Sequence, residues 1–195
     1  MNTSIKTTPQ ERKLGFRVLF LGMFAIGTGQ TLFIAVLPPY ARGLGLSEVQ
    51  VGFIFSLSAL GWMLMSPYWG KRSDYLGRKS IIILGLIIYA ITTILMGVEF
   101  RLNELGVLNL STLFILLILT RGCYGFFGSG AHSASMAYVA DRTTERERSG
   151  VMAVMGSAFA ISGIVGPGLA SAAVMLGPLV PYFLFGGITA FIALL

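Results

Sequence analysis

The sequence GKRSDYLGRK, residues 70–79, places four basic side chains and one acidic side chain between two long uncharged runs. On its N-terminal side, 22 uncharged residues separate Glu48 from Lys71, and on its C-terminal side 19 separate Lys79 from Glu99. A helix that crosses a bilayer needs roughly 20 apolar residues. The stretch therefore predicts a polar connection between two membrane-spanning helices.

Uncharged runs of the same kind continue in both directions along the chain. Arg17 and Arg42 enclose 24 uncharged residues, a run of 36 residues contains the single charge Arg121, and no charge follows Arg148. The last run is too long for one crossing, and the Gly-Pro pair at 177–178 divides it. We expect six transmembrane helices, at about residues 15–40, 48–69, 80–98, 111–139, 149–176 and 180–195.

The composition of the whole chain excludes several classes of protein. Of its 195 residues, 55% are hydrophobic and 11% are charged, whereas about a quarter are charged in a soluble domain. Neither a soluble globule nor a disordered chain is compatible with this, and the absence of alternation argues against a lipid-facing β-barrel. The single cysteine excludes an internal disulfide and a cysteine zinc site, and we expect no metal and no cofactor. The net charge of +6 is split into short clusters, which argues against nucleic acid as a partner.

The placement of Lys and Arg predicts the orientation in the membrane. Eleven basic residues lie in the N-terminal tail, the connection between helices 2 and 3, and the connection between helices 4 and 5, whereas only Arg42 and Arg101 lie on the other side. Basic residues favour the cytoplasmic side. We expect a multi-pass protein of the cytoplasmic (inner) membrane, with residues 1–14 as a cytoplasmic N-terminal tail.

Helices 1–3 and 4–6 show a weak internal similarity at an offset of about 100 residues. Arg42 and Arg142 each follow the first span of a triplet, and Pro67 and Pro167 each lie late in the second span. Three spans is an odd number, so the two copies have inverted topology, as in many transporters. By the same offset helix 6 continues past the last residue, so we expect residues 15–195 to be a six-helix bundle truncated at the end of helix 6.

The spacing within residues 70–79 resembles the loop signature of the major facilitator superfamily, Gly-x-x-x-Asp-x-x-Gly-Arg-(Arg/Lys), which lies between helices 2 and 3 in that family. The resemblance implies an N-terminal six-helix half of a transporter in which Asp74 and Arg78 lock the cytoplasmic side against the other half. A local Asp–Arg pair in a basic loop is the simpler interpretation, and Gly77 suits a turn with positive φ. The residues expected in this switch loop are Gly70, Asp74, Gly77, Arg78 and Lys79.

Helix 4 carries Arg121, the only formal charge inside a predicted span. Such a charge costs at least a few kcal/mol in hydrocarbon unless it finds a partner or water. Arg121, Gly125, Gly128, His132 and Ser135 are predicted to share one helical face, which by itself is compatible with a tight helix seam. Arg-x-x-Tyr-Gly-x-x-Gly resembles the fourth-helix motif of proton-coupled members of the superfamily. That resemblance implies a role in proton coupling for Arg121, and Asp74 at the rim is a second candidate for proton coupling.

A second group of polar residues extends the predicted site. His132 is able to titrate near neutral pH, although a neutral histidine bonded to Ser129 or Ser135 is the simpler interpretation. Amide and hydroxyl groups of helix 1 either line a cavity or bond to backbone carbonyls. The residues expected to line a substrate cavity are Gln30, Thr31, Arg121, Tyr124 and His132.

Helix 5 carries small residues three or four positions apart, which makes a narrow groove for another helix, and Pro167 is expected to kink it. SGIVGPG, residues 162–168, resembles the fifth-helix motif of drug antiporters, so the motifs come closest to the drug/proton antiporter group. The residues expected to serve helix packing or kinking are Gly125, Gly128, Gly163, Gly166 and Pro167.

Together these features predict a secondary active transporter, not an enzyme, that exports a small molecule by alternating access in exchange for protons. Its expected partners are the substrate, protons, the lipid bilayer and a second six-helix half. The alternatives are a facilitator or nutrient importer of the same fold, or a half-size subunit that pairs with a second bundle. A third alternative, suggested by Ser129 and His132, is an intramembrane serine protease. Two residues three positions apart on one helix do not provide the geometry of a catalytic triad. No acid lies inside a predicted span, which leaves His132, Asp74 or a carboxylate of the second half to carry the proton.

Overall fold

A computed structural model describes residues 9–195, and within that range the chain forms helices and no strand. Residues 1–8, most of the expected N-terminal tail, lie outside the described residues. The all-α membrane fold class is confirmed. The six helices are α1 (Pro9–Gly43), α2 (Glu48–Leu76), α3 (Arg78–Glu104), α4 (Leu110–Asp141), α5 (Glu145–Leu176) and α6 (Val180–Ala193).

Five of these helices, α1 to α5, are long and apolar enough to cross a bilayer. The sixth, α6, is an apolar helix of 14 residues, which is shorter than the roughly 20 that a full crossing requires. The chain is therefore a multi-pass membrane protein by the length and composition of its helices.

Several helices extend past the boundaries that the charges suggested. Helix α1 begins at Pro9 instead of near residue 15, and it continues through two prolines to Gly43. Proline suits the first turn of a helix, where its missing N–H is not needed. Close to that start, Arg12 forms an ion pair with Glu147 of α5 at 3.4 Å. Charged side chains thus mark the edge of the apolar zone, not the end of the helix.

Only Gly77 interrupts the helical backbone between α2 and α3. Helix α2 continues to Leu76 and α3 begins at Arg78, so most of the expected connection from residue 70 to 79 is helical. Gly77 has φ +88°, a conformation that favours glycine, and the predicted positive φ is confirmed there. The polar stretch is therefore a rigid corner that fixes the angle between two helices.

The helices pack in four main pairs. Helix α1 packs most extensively against α5, α2 against α4, and α3 against both α4 and α6. Exchanging α1–α3 for α4–α6 converts the α1–α5 pair into the α2–α4 pair and leaves the α3–α6 pair unchanged, whereas the extensive α3–α4 contact has a weaker counterpart between α1 and α6. This is the arrangement expected of two inverted three-helix repeats related by a pseudo-twofold axis.

Two hydrophobic clusters fill the bundle. The first surrounds Phe33, Phe100 and Tyr182, and the second surrounds Tyr89 and Tyr124. The side chains of both clusters come from helices distant in sequence, so the core closes only when both repeats are packed together.

Helices α2 and α5 present broad apolar faces that nothing else in the described chain covers. In the most apolar stretch of each, only 22% of the residues are buried, compared with 56% in α1 and α3. In hydrocarbon such a face meets either lipid or another helix bundle.

Candidate functional site

Arg121 lies in the first half of α4 with its guanidinium buried against α1, and it is 6% exposed. Its Nη2 donates a hydrogen bond to Oε1 of Gln30 at 2.9 Å. The guanidinium carbon lies 3.9 Å from the ring centroid of Phe33, whereas Nε is buried without a hydrogen-bond partner. Within residues 9–195 no carboxylate pairs with Arg121. An amide oxygen and an aromatic face therefore stabilise its charge.

Gln30 links Arg121 to Tyr124 and so joins α1 to α4. Its Nε2 donates to the hydroxyl oxygen of Tyr124 at 2.6 Å, and the Tyr124 ring centroid lies 5.0 Å from the guanidinium carbon of Arg121. Tyr89 of α3 packs edge-on against the Tyr124 ring, with 5.2 Å between centroids. The structure thus brings together three of the residues expected to line a cavity and joins them by two hydrogen bonds.

A cavity of about 310 Å³ opens beside this polar chain. Its size falls at the lower end of the range of small-molecule sites, which combine apolar walls with a few polar groups. The residues that line it are Gln30, Ile34, Phe55, Ser58, Ala59, Trp62, Arg121 and Tyr124.

Thr31 and His132 are absent from the walls of this cavity. Thr31 turns instead towards α5, where its hydroxyl donates to the backbone oxygen of Ser162 at 3.0 Å. Gly166 makes room for it, since a Cβ there would lie 1.8 Å from Oγ1 of Thr31. Thr31 therefore fastens α1 to α5.

Helix α4 is not uniformly α-helical, because Tyr124–Gly128 forms a π-helical turn. Such a turn holds an extra residue, which rotates every following side chain by about 100° relative to the expected helix. Arg121 and His132, on opposite sides of the turn, consequently do not share the single face that the spacing predicted. Arg121 faces α1, whereas His132 contacts rings of α2 and α5.

Gly125 and Gly128 both lie within the π turn of α4, and they make different contacts. A Cβ at Gly125 would lie 2.4 Å from the backbone oxygen of Ser58, so α2 and α4 touch backbone to backbone there. Gly128 instead accommodates the ring of Tyr124 in its own helix. Next to it, the indole N–H of Trp69 donates to the backbone oxygen of Phe126 at 2.7 Å, which ties the π turn to α2.

His132 lies between two aromatic rings, Trp62 at 5.5 Å and Phe159 at 5.2 Å between centroids. Its Nδ1 is buried without a hydrogen-bond partner, as is Oγ of Ser129. The expected hydrogen bond from His132 to Ser129 or Ser135 does not form, because the imidazole turns instead to the two aromatic rings of α2 and α5. Because neither Oγ of Ser129 nor Nδ1 of His132 has a hydrogen-bond partner, the two residues do not form a nucleophile–base pair.

The small residues of α5 divide between two faces. Gly166 is buried against α1, whereas Gly163 and Pro167 are exposed, and no atom lies within 4 Å of a Cβ built at Gly163. Helix α5 continues through Pro167 to Leu176. The exposed small-residue face leaves a shallow surface on the outside of the bundle.

Arg78 joins three helices at the corner of residues 70–79. It forms an ion pair with Asp74 of α2 and a second with Asp141 at the end of α4, where Nε and Oδ2 lie 2.9 Å apart. Its Nη1 also donates to the backbone oxygen of Gly70 at 3.2 Å. The Asp74–Arg78 pair is the one that the spacing predicted, whereas Lys79 is exposed.

Glu99 is a buried carboxylate that the sequence reasoning missed. Because α3 continues to Glu104, Glu99 lies inside the helix and is 3% exposed, and its Oε1 accepts a hydrogen bond from Thr120 of α4. The expectation of no acid inside a span is thus wrong, since it treated the charge as the helix end. The available signal was periodicity: Glu99 lies in phase with the buried residues Thr92 and Met96.

Comparisons with known proteins identify relatives of this chain. Residues 19–195 match the family model described as Major Facilitator Superfamily. The chain is 30% identical over 189 residues to "Multidrug resistance protein 2" of Bacillus subtilis (strain 168), which covers 97% of the chain and 44% of that protein. It is 28% identical over 177 residues to "Quinolone resistance protein NorA" of Staphylococcus aureus, covering 90% and 42%. The chain therefore spans less than half the length of the curated relatives it matches.

Proposed function

The chain belongs to the major facilitator superfamily, a family of transporters and not of enzymes, and we propose that it forms one lobe of a secondary active transporter that exports a small molecule in exchange for protons. Two such lobes rock about a central site and expose it to each side of the membrane in turn.

The observation that carries this proposal is the buried chain Arg121–Gln30–Tyr124 beside the 310 Å³ cavity. A cation in hydrocarbon is costly, and charges retained there usually mark substrate or ion pathways. Here the cation has an unused donor at Nε, and no acid of the described residues forms an ion pair with it. These features suit a polar or anionic group of a substrate that enters between aromatic walls.

The exposed faces of α2 and α5 support a partner bundle. The small side chains of Ala153, Gly156, Ala160 and Gly163 lie on the outward face of α5, and small residues permit close approach of a helix in lipid. We assign this face to a second six-helix half, either in the same polypeptide or in a separate subunit.

The Arg78 corner supports a conformational lock. Asp74 and Asp141 are both half exposed, and both bind the same guanidinium, so they remain accessible to a partner surface. In the proposed cycle the corner holds α2, α3 and α4 as one rigid body while the lobes move, and Asp74 contacts the other lobe on the cytoplasmic side.

Export is favoured over import by the printed names of the relatives, which are a multidrug resistance protein and a quinolone resistance protein. The split of basic residues supports a cytoplasmic N-terminus in the cytoplasmic membrane. Arg121 does not give up its own proton, so its part in coupling is to bind substrate or to bias a neighbouring acid.

Transport in membrane vesicles tests the proposal. An aromatic dye is added outside inverted and right-side-out vesicles from cells that express the natural gene product, and a pH gradient is imposed. The proposal predicts gradient-driven dye uptake into inverted vesicles only, with a large loss in Arg121→Ala. Uptake confined to right-side-out vesicles would support an importer, and undiminished transport by Arg121→Ala would refute the coupling role of Arg121.

A further inference from the structure

The α3–α4 interface contains an acid that the proposed mechanism has not used. Glu99 is 3% exposed, and one carboxylate oxygen accepts a hydrogen bond from the Thr120 hydroxyl. Its other oxygen, Oε2, is buried and has no hydrogen-bond partner. In the part of the chain that the structure describes, no cation forms an ion pair with Glu99.

The ionisable groups on the helices around Glu99 are occupied elsewhere or are neutral. Arg121 follows Thr120 on α4 but turns towards α1. From α1, Tyr40 bonds to Glu104 at the end of α3, and from α6 the Tyr182 hydroxyl is buried without a partner. The two acids of α2 lie at its ends, where Glu48 is paired with Arg42 and Asp74 with Arg78.

This environment stabilises the neutral acid over the ion. A buried carboxylate without a compensating cation loses its hydration and regains little of that free energy from a single hydroxyl. A protonated carboxyl carries no net charge and loses far less on burial. Oε2 is the oxygen free to carry the proton.

We propose that Glu99 is a proton-binding carboxylate of the transport cycle, located between α3 and α4 and linked to the cavity through the adjacent positions Thr120 and Arg121. The inference rests on the proposed proton-coupled export. A proton from water forms an O–H bond at Oε2, and that bond breaks when movement at the α3–α4 interface admits water, which accepts the proton. The negative charge left on Glu99 then lies on α3, at its contact with the helix that carries Arg121, and so favours a different position of α4.

The proton itself is tested by infrared difference spectroscopy on the natural gene product in lipid, titrated with buffer pH. Glu99→Gln is close in shape and keeps an acceptor for Thr120, and Glu104→Gln on the same helix is the matched control. We expect a protonated-carboxyl band that Glu99→Gln removes and Glu104→Gln retains. A spectrum in which Glu99→Gln removes no such band would overturn the proposal.

The use of that proton is tested by dye transport in the vesicles described above. We expect Glu99→Gln to lower gradient-driven transport at least tenfold while it retains exchange of dye for dye without a gradient, and Glu104→Gln to match the wild type. Wild-type gradient drive in Glu99→Gln would contradict the inference. If the wild type itself shows no gradient drive, the proposed function fails and coupling by Glu99 fails with it, whereas the infrared band still reports whether the carboxyl holds a proton.

Thr120 provides a variant that leaves the carboxyl in place. Thr120→Val removes the hydroxyl that stabilises the charged form, so the pH midpoint of transport moves upwards, whereas Thr120→Ser keeps the hydroxyl and the midpoint. An unchanged midpoint in Thr120→Val, at wild-type protein levels, would contradict the assigned hydrogen bond.

Discussion

At the scale of single residues, the planar shape of Arg121 matters as much as its charge. The guanidinium stacks on Phe33 while one edge binds Gln30, an arrangement that the compact ammonium of lysine does not reproduce. Hydrogen bonds to charged groups contribute about 2 kcal/mol, which corresponds to roughly 30-fold in binding. Arg121→Lys should therefore weaken substrate binding by about that factor, measured by dye binding to the purified protein.

Arg142 is the matched control for this substitution. It also stacks on an aromatic ring, with its guanidinium carbon 3.8 Å from the centroid of Tyr138, but it lies next to the end of α4 and away from the cavity. Arg142→Lys should leave dye affinity unchanged. Equal losses in the two variants would mean that Arg121 acts on general stability and not at a binding site.

Single residues also show where sequence reasoning fails. Arg121 was recognisable because it stands alone in a long apolar run, and a lone intramembrane charge is a strong signal. Glu99 lies five positions before Glu104, the last residue of α3. In the sequence, a charged residue near the end of an apolar run is easily taken for the end of the helix. Whether such a charge is buried depends on the neighbouring helix, here on Thr120, and a single sequence does not supply that contact.

At the scale of helices, the contact between α2 and α4 depends on the absence of a side chain at Gly125. A Cβ there would lie 2.4 Å from a backbone oxygen of Ser58, which cannot move without shifting its helix. Gly125→Ala should lower the free energy of unfolding by about 1–3 kcal/mol. Gly187→Ala on α6, where no atom lies within 4 Å of the added Cβ, should not lower it. Thermal unfolding in detergent measures both, and equal melting temperatures would contradict the close contact.

The Arg78 corner gives a second test at this scale. Its ion pair with Asp141 is partly exposed, so it contributes about 1 kcal/mol or less to stability. Arg78→Ala should therefore fold but transport poorly, because α2, α3 and α4 are no longer held together. The double variant Arg78→Asp with Asp141→Arg should recover more transport than Arg78→Asp alone, and no recovery would argue against this pair as the lock.

The π turn in α4 explains which parts of the site were predictable. Arg121 and Tyr124 lie before or at its start, where ordinary helical spacing still holds, and Gln30 lies on a different helix, α1. His132 lies after the turn, and its predicted face is displaced. No residue type in the sequence predicts a π turn. It depends on tertiary contacts such as the hydrogen bond from Trp69 to the freed oxygen of Phe126.

At the scale of the whole molecule, the all-α membrane class followed from the lengths of the uncharged runs, because a bilayer fixes the length of each crossing. The pairing of helices did not follow from run length. It appears only in the packing, where α1 with α5 and α2 with α4 are equivalent under the exchange of repeats. The weak similarity at an offset of 100 residues was the only trace of that symmetry in the sequence.

The central claim is that the cavity beside Arg121 opens to opposite sides of the membrane in turn, and thiol labelling tests it most directly. The native Cys123 is replaced by Ser, and Ala59→Cys places a thiol in the cavity wall. Ile91→Cys on the exposed face of α3 is the lipid-facing control. Membrane-impermeant reagents are applied from either side, with and without a pH gradient. We predict that the A59C thiol reacts from one side at rest and from the other under the gradient, while the I91C thiol stays unreactive. Reaction of the A59C thiol from the same side under all conditions, or from neither side, would contradict the account.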